Sequence, residues 1–216
     1  MKERKKHAGK HLQRLILEGE HTKQDFKFEI SDARKIAKTL SAFANTQGGR
    51  LLIGVKDNGN ISGVQLDEEE YMIEAAADLY CYPKLNYFIE DVEINGKNIL
   101  IVEVKESKTK PIYALDENNK RFAYIRINDE TILATTLHLQ LWRLGRKEKG
   151  EFITYTEQEH KLLLYLKEKE ILTLNQFYRR TKLTKRKAEF LLAKFIQFGV
   201  IELFYKEKKF RIKLKE

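Results

Sequence analysis

Apolar and polar residues follow two different periods along the first 145 residues, one typical of helices and one typical of strands. The predicted helices are the segment up to Leu17, the segment from Ser31 or Asp32 to Gly48, Asp67–Tyr80 and Thr131–Leu144. The predicted strands are Thr22–Phe28, Arg50–Val55, Tyr87–Ile94, Asn98–Val104 and Phe122–Ile127. Helices interleaved with strands in this way indicate an α+β (mixed α/β) domain over residues 1–145.

Glycines and asparagines mark the predicted turns of this domain. Asn95-Gly96 stands between two strand-like runs, which predicts a two-residue hairpin. Gly48-Gly49 follows a helix and precedes a strand, whereas phosphate-binding glycine loops follow a strand and precede a helix. Neither the G-x-G-x-x-G nor the P-loop spacing is present. The pair is therefore predicted to end the helix, with a glycine in the left-handed region.

The pattern changes after Arg146–Gly150, a polar stretch that is predicted to be a hinge. Residues 151–216 predict three short helices followed by a hairpin, which is the order found in winged helix-turn-helix domains. The signals are a capping box of Thr156 with Glu159, caps at Thr173 and Thr184, a second helix over Asn175–Arg180, a closing Gly199, and hairpin strands Val200–Tyr205 and Phe210–Leu214.

The chain has 216 residues and a net charge of +9, and most of the excess lies near its C-terminal end. Residues 151–216 hold 16 Lys and Arg against nine Asp and Glu, so this part alone carries +7. Such a surplus favours a polyanionic partner.

The third predicted helix and the hairpin carry the candidate nucleic-acid contacts. In a helix-turn-helix the third helix presents its first turns to base edges in the major groove. Contacts to phosphates, here from the hairpin, set register and salt dependence. The candidates are Lys185, Arg186 and Lys187, with Glu189 beside them opposite the apolar stripe, and Lys206, Lys208, Lys209 and Arg211 on the hairpin. A solvated basic face or a protein-docking module would show the same residues.

Composition excludes several classes of protein. Cys81 is the only cysteine, so a single chain can form neither a disulfide nor a Cys-based zinc site. No apolar run approaches the length of a membrane span. We therefore expect a cytoplasmic protein without a membrane partner.

A set of short motifs across roughly residues 12–140 resembles the Schlafen/AlbA-like domain. The most specific motif is SAFANTQGG at residues 41–49, followed by LLIGVKDNG at residues 51–59. The other motifs are Gly19-Glu20, Asp25-Phe26-Lys27, Gly63-Val64, Lys110-Pro111-Ile112-Tyr113 and Tyr124-Ile125-Arg126. The resemblance implies an α/β domain that binds nucleic acid and was once described as a divergent ATP-binding domain. Bacterial members often carry a helix-turn-helix after it.

The resemblance also implies a metal site. Eukaryotic Schlafens cut transfer and ribosomal RNA with three carboxylates and a divalent metal, and by motif position these fall on Glu20, Asp25 and Asp57, which would hold Mg²⁺ or Mn²⁺. Asp25 departs from the family pattern, where Glu usually precedes the Phe-Lys pair, and its shorter side chain draws the carboxylate back. The Gly expected after Arg126 is also replaced, by Ile127-Asn128.

Each of these residues also has a structural interpretation. Glu20 and Asp25 would then be a capping and an exposed carboxylate, and Asp57 would be the aspartate that an Asp-Asn-Gly turn prefers. Lys27, Lys38 and Arg126 are interpreted as phosphate contacts rather than catalysts, and either role could reduce to a surface ion pair.

From these observations we favour a DNA-binding transcriptional regulator with no certain cofactor. It would consist of a Schlafen/AlbA-like domain over residues 1–145 and a winged helix-turn-helix domain over residues 151–216. The alternative is a metal-dependent endoribonuclease acting on structured RNA, and a further alternative is an ATP-binding switch. A homodimer is expected, because eukaryotic Schlafen cores pair two such lobes and helix-turn-helix proteins use two-fold half-sites.

Overall fold

A computed structural model describes residues 2–145, 157–181 and 183–215, with side chains described from residue 9 onward except that of residue 158. The chain forms two compact units, residues 1–134 and residues 135–216. The predicted hinge at residues 146–150 and Thr156 of the predicted capping box lie outside the described residues.

Within its described residues, the first unit contains three helices and eight strands. The helices are α1 (Lys2–Glu18), α2 (Ala33–Asn45) and α3 (Leu66–Asp78). The strands are β1 (Gln24–Lys27), β2 (Gly49–Ile53), β3 (Cys81–Tyr82), β4 (Tyr87–Ile94), β5 (Lys97–Val104), β6 (Tyr113–Leu115), β7 (Arg121–Ile127) and β8 (Glu130–Leu133). This composition confirms the mixed α+β class.

The first sheet has the strand order β1-β2-β5-β4, and its central strands β2 and β5 are buried on both faces. β1 pairs with β2 in parallel, while β5 pairs antiparallel with both β2 and β4. Leu51 and Ile53 of β2 pack into one apolar core with α2 and α3, whereas Leu52 between them packs into a second core with α1. This two-sided burial is why β2 reads as an uninterrupted apolar run rather than an alternating one.

The hairpin of β4 and β5 confirms the turn predicted at Asn95-Gly96. Ile94 pairs with Lys97, so the loop between the strands has two residues. Asn95 and Gly96 have φ of 52° and 74°, the positive pair that a type I′ hairpin requires.

The second sheet of this unit has the order β3-β6-β7-β8 and packs on α2. Its last strand corrects the helix predicted over residues 131–144, because residues 130–133 form β8 and pair with β7. Asn128 precedes β8 with φ of 55°, which turns the chain back beside β7. The short strands β3 and β6 were also absent from the sequence-based prediction.

Polar side chains at the end of α2 tie this helix to the second sheet. The Asn45 amide donates to the carbonyl oxygens of Ile112 (2.7 Å) and Tyr124 (3.0 Å), and its Oδ1 accepts from the Ile112 backbone N–H (2.7 Å). Ser41 Oγ also donates to the Ile112 carbonyl, and Thr46 Oγ1 accepts from the backbone N–H of Arg126. Residues 41–46 of the most specific motif are therefore a structural link.

The two glycines of the same motif end α2, as predicted. Gly48 has φ of 70°, and its N–H donates to the Phe43 carbonyl at 2.9 Å. A Cβ on Gly49 would lie 2.3 Å from the Phe43 ring, whose own side chain is fully buried. Gly48 therefore supplies the turn, and Gly49 supplies the space for Phe43.

The described residues of the second unit form four helices and one sheet. The helices are α4 (Thr136–Gly145), α5 (Glu157–Lys169), α6 (Leu174–Arg180) and α7 (Lys185–Gln197), and the strands are β9 (Ile171–Thr173), β10 (Ile201–Lys206) and β11 (Lys209–Leu214). The sheet has the order β10-β11-β9 with antiparallel pairs. The prediction contained the hairpin β10–β11 but not the third strand, β9.

The structure confirms the helix caps predicted at Thr173 and Thr184 and the helix end predicted at Gly199. The Thr173 side chain accepts from the Gln176 backbone N–H in a capping box, and the Thr184 side chain accepts from the Lys187 backbone N–H. Gly199 follows α7 with φ of 71°.

Helix α4 lies in the second unit, although the sequence-based boundary placed it in the first. Leu137 and Leu144 of α4 are buried in the same apolar core as Phe177 of α6 and Leu192 of α7. The structure therefore divides the chain after Ala134 rather than near residue 145.

Replacing Gly49 with alanine should destabilise the first unit, because the new methyl group would overlap the ring of Phe43 in a closed core. We expect the free energy of unfolding to fall by about 1–3 kcal/mol, the usual cost of overpacking. The measurement is urea unfolding followed by far-UV circular dichroism.

Gly9→Ala is the matched control, because none of the described atoms lies within 4 Å of a Cβ built at that position of α1. This change should leave the unfolding midpoint unchanged or raise it slightly, since alanine favours a helix over glycine. Equal midpoints for Gly49→Ala and Gly9→Ala would contradict the packing role of Gly49.

Candidate nucleic-acid interface and carboxylate pair

The first turn of α7 presents three basic side chains to solvent. Lys185, Arg186 and Lys187 are all exposed, and they follow the cap residue Thr184. No acidic residue lies in this first turn. The positions are those predicted for base and phosphate contacts, and the surface they form is positively charged.

Glu189 does not lie on this surface, contrary to expectation. Its side chain is buried, and its Oε1 accepts a hydrogen bond from Thr136 Oγ1 of α4. Burial, together with the charge and hydrogen bond of Glu189, raises the pKa of Tyr178. Glu189 therefore links α4, α6 and α7 in the interior of the unit, and its Oε1 also lies 3.9 Å from Nζ of Lys185 in the basic first turn.

The turn between β10 and β11 carries the second group of basic residues. Lys206 pairs with Lys209 across the hairpin, and both side chains are exposed, as is that of Lys208. Glu207 and Lys208 form the two-residue turn with φ of 53° and 56°. Such a turn usually holds Asn-Gly, because both positions lie in the left-handed region.

Arg211 differs from the other predicted hairpin contacts. Its side chain is only partly exposed, and its guanidinium forms an ion pair with Glu207 at the turn. The structure therefore gives Arg211 a part in holding the hairpin turn, while the three lysines remain open to solvent.

In the first unit, Glu20 and Asp25 lie together at the start of β1. Glu20 Oε1 accepts from the backbone N–H of Phe26 at 2.9 Å. Burial, together with the hydrogen bond and charge of Asp25, raises the pKa of Glu20 to about 7, against the lowering effects of the Phe26 N–H and of Lys27. Glu20 is therefore partly protonated at neutral pH.

Asp25 is buried and lies close to two cations. Lys27 Nζ lies 3.1 Å from Asp25 Oδ2, and Arg126 Nη1 lies 3.6 Å from the same oxygen. Lys27 also donates to the backbone carbonyl of Phe26. The half-buried Lys27, predicted as a phosphate contact, is thus engaged with Asp25, whereas Lys38 is a half-buried residue on α2.

Arg126 is an interior residue rather than a surface phosphate contact. Its side chain is 1% exposed. The guanidinium donates to the Thr131 hydroxyl at 3.1 Å and to the His21 carbonyl at 3.2 Å, and it lies over the Phe43 ring at 5.2 Å. These contacts join β7 and β8 to the chain that enters β1.

Asp57 is exposed and lies in the turn that follows β2, where the Gly59 N–H donates to the Lys56 carbonyl at 2.7 Å. Within the ranges that the structure describes, no three His, Cys, Asp or Glu side chains are grouped so that they could hold one metal ion. Glu20, Asp25 and Asp57 therefore do not fit the three-carboxylate site that the resemblance implied. The structure brings two of them together and places the third in a solvent-exposed turn.

The sequence did not lead us to predict the burial of two of these residues, Glu189 and Arg126. The burial of Glu189 had a signal, since it directly follows Ala188 and precedes Leu192 by three residues, at the edge of the apolar stripe. The burial of Arg126 had none, because its partners are backbone carbonyls and a threonine that only the folded chain brings together.

A comparison with protein families matches most of the first unit. A family model described as Schlafen, AlbA_2 matches residues 20–135, more than half of the chain. The chain therefore belongs to the Schlafen AlbA_2 family.

Individual relatives are more distant. An uncharacterised ATP-binding protein of Ureaplasma parvum is 27% identical over 124 residues, which cover 46% of this chain and 34% of that protein. The chain thus spans about a third of the length of this curated relative.

Two solved structures show a limited likeness, each at 19% sequence identity. The DIP2311 protein of Corynebacterium diphtheriae gives a TM-score of 0.44 over 77% of this chain and 31% of its own. The N-terminal domain of a protein from Nitrosomonas europaea, described as related to the ATP-dependent DNA helicase RecG, gives 0.42 over 68% and 97%.

In the described part of the chain, no helix combines the length and apolar composition that crossing a membrane requires.

The raised pKa of Glu20 predicts a pH-dependent contribution to stability. The folded state holds this proton more tightly than the unfolded state, so the contribution is complete below pH 4.5 and is lost as the pH rises through about 7. Glu20→Gln removes the titrating group while it keeps an oxygen for the Phe26 N–H. Between pH 5 and pH 8 the urea midpoint of the wild type should therefore fall relative to that of Glu20→Gln.

Glu117→Gln is the control, because Glu117 is an exposed carboxylate far along the chain in the β6–β7 connection. Its midpoint should follow that of the wild type at every pH. A constant difference between wild type and Glu20→Gln across this range would show that the Glu20 pKa is not raised.

Proposed function

We propose that this chain is a DNA-binding regulator in which the second unit is a winged helix-turn-helix. In this proposal α5, α6 and α7 are the three helices, α7 is the recognition helix, and the β10–β11 hairpin is the wing. The observation that carries the proposal is the charge of the first turn of α7. Its three cations face solvent, and the one carboxylate of α7, Glu189, is buried against Thr136 with its Oε1 3.9 Å from Lys185 Nζ.

Each basic element would have a different task on the duplex. The first turn of α7 would enter the major groove, where Arg186 can reach base edges. Lys206, Lys208 and Lys209 at the wing would contact phosphates, which bind every sequence alike. The strand β9 supports this arrangement, because it pairs with β11 and so attaches the hairpin to the helices.

Family membership supports a nucleic-acid partner, in agreement with the net charge of +9. We propose further that the protein is a cytoplasmic homodimer, since two recognition helices related by a two-fold axis would match two half-sites of an operator. The first unit would then serve as a scaffold for the reader rather than as a nuclease. Support comes from the ion pair of Asp25 with Lys27 and from the exposed turn position of Asp57.

Replacing both wing lysines should weaken binding to all duplexes alike. We expect Lys208→Gln with Lys209→Gln to lower the slope of log affinity against log salt by about 0.9 for each phosphate that the wing no longer neutralises. Arg186→Gln should instead reduce the difference in affinity between a selected site and a random duplex. The measurement is fluorescence anisotropy with labelled duplex DNA over a range of salt concentrations.

Lys167→Gln with Lys169→Gln is the matched control, because it removes the same charge from the exposed end of α5. If this control reduces the salt slope as much as the wing pair does, the wing is not a specific phosphate contact. If the wild-type protein does not bind duplex DNA, the proposal fails.

The ribonuclease alternative predicts a different result for Asp57. Since Asp57 lies in a turn that asparagine also suits, we expect Asp57→Asn to preserve DNA binding and to change stability by less than about 0.5 kcal/mol. We also expect no Mn²⁺-dependent cleavage of structured RNA by the wild type, as measured on labelled transfer RNA by gel electrophoresis. Cleavage that requires Mn²⁺ and disappears in both Asp57→Asn and Glu20→Gln would establish the nuclease instead.

A further inference from the structure

A cleft of about 500 Å³ lies within the second unit, between the C-terminal half of α4 and the first turns of α7. Its size falls within the range of roughly 300–1,000 Å³ in which proteins bind small molecules. Arg143 and Leu144 line it from α4, and Arg186, Lys187 and Phe190 line it from α7.

The charge of the cleft has one sign. Arg143, Arg186 and Lys187 are exposed, and no carboxylate stands among the described residues that line the cleft. Glu189, the carboxylate nearest to them on α7, is buried and hydrogen-bonded to Thr136. Three cations around one cavity without a neutralising carboxylate favour an anionic ligand.

The cleft also has an apolar part. Phe190 is 40% exposed, and it lines the cavity together with Leu144. A partly exposed aromatic ring beside guanidinium groups is the arrangement on which nucleic-acid bases stack in single-strand-binding proteins. An anion that carries a flat aromatic group therefore matches this cleft better than a simple ion does.

We propose that this cleft binds one nucleotide, with its phosphate on Arg143, Arg186 and Lys187 and its base against Phe190. This deepens the proposed function and rests on it, because Arg186 and Lys187 belong to the same first turn that would read DNA. The nucleotide is either an unpaired residue of a strand or a free nucleotide, since both present the same base and phosphate. Arg143 on α4 thereby becomes part of the binding surface, although it lies outside the three helices of the winged-helix arrangement.

The test is isothermal titration calorimetry of the full chain with four probes: deoxyadenosine monophosphate, inorganic phosphate, deoxyadenosine and an eight-nucleotide oligo-dA. We expect the monophosphate to bind at least tenfold more tightly than phosphate or the nucleoside alone, because base and phosphate have separate contacts. Tighter binding of the oligonucleotide would identify a strand as the source of the ligand. Binding of the monophosphate that equals or exceeds that of the oligonucleotide would identify a free nucleotide.

Variants separate the two halves of the cleft. Phe190→Ala should weaken the monophosphate about tenfold, as removal of a stacking ring does, and leave phosphate binding unchanged. Arg143→Gln should weaken both probes, and the exposed Lys167→Gln outside the cleft should weaken neither. If Phe190→Ala does not fold, Phe190→Leu keeps an apolar side chain and still removes the flat ring.

Measuring duplex binding by the same variants distinguishes failure of the cleft proposal from failure of the proposed function. If the protein binds duplex DNA but not the nucleotide, the cleft proposal alone is overturned. If it binds the nucleotide but not duplex DNA, the duplex-reading function alone is overturned. A monophosphate that binds no better than phosphate, or variants Arg143→Gln and Phe190→Leu that behave like Lys167→Gln, would also overturn this assignment.

Discussion

The hydrogen bonds of one side-chain amide, that of Asn45, hold the first unit together. They join the end of α2 to the backbone at Ile112 and Tyr124, so that one residue fixes the second sheet against the helix that also packs on the first. Only a group with donors and an acceptor side by side can make these bonds. Aspartate would lack the donors, so the Tyr124 carbonyl would lose this hydrogen bond and the Ile112 carbonyl would keep the one from the Ser41 hydroxyl.

Contacts of the same kind give the other residues of the most specific motif structural roles. Gly49 leaves room for Phe43, Thr46 binds the backbone of β7, and Arg126 of that strand reaches back over Phe43 to His21. The position of each of these side chains therefore depends on contacts with the others. These contacts connect α2, β7 and the chain that enters β1 within the first unit.

Local chemistry made part of this structure predictable from sequence. The Asn95-Gly96 turn and the caps at Thr173 and Thr184 use residues within three or four positions of each other, so their signals are complete in a short segment. The strands β3, β6 and β9 have two or three residues each and exist through distant partners. For the same reason the sequence could not show that Asp57 lies apart from Glu20 and Asp25, or that α4 joins the second core.

The turn of the β10–β11 hairpin shows a local conflict between backbone conformation and side-chain interactions. Glu207 and Lys208 both occupy the left-handed region, which costs roughly 1–2 kcal/mol for each residue that has a side chain. Asn-Gly would form the same turn with less strain, but it would remove both the lysine and the carboxylate that holds Arg211. The Glu-Lys pair therefore carries backbone strain that Asn-Gly would avoid, and it supplies an ion pair and an exposed lysine that Asn-Gly would not.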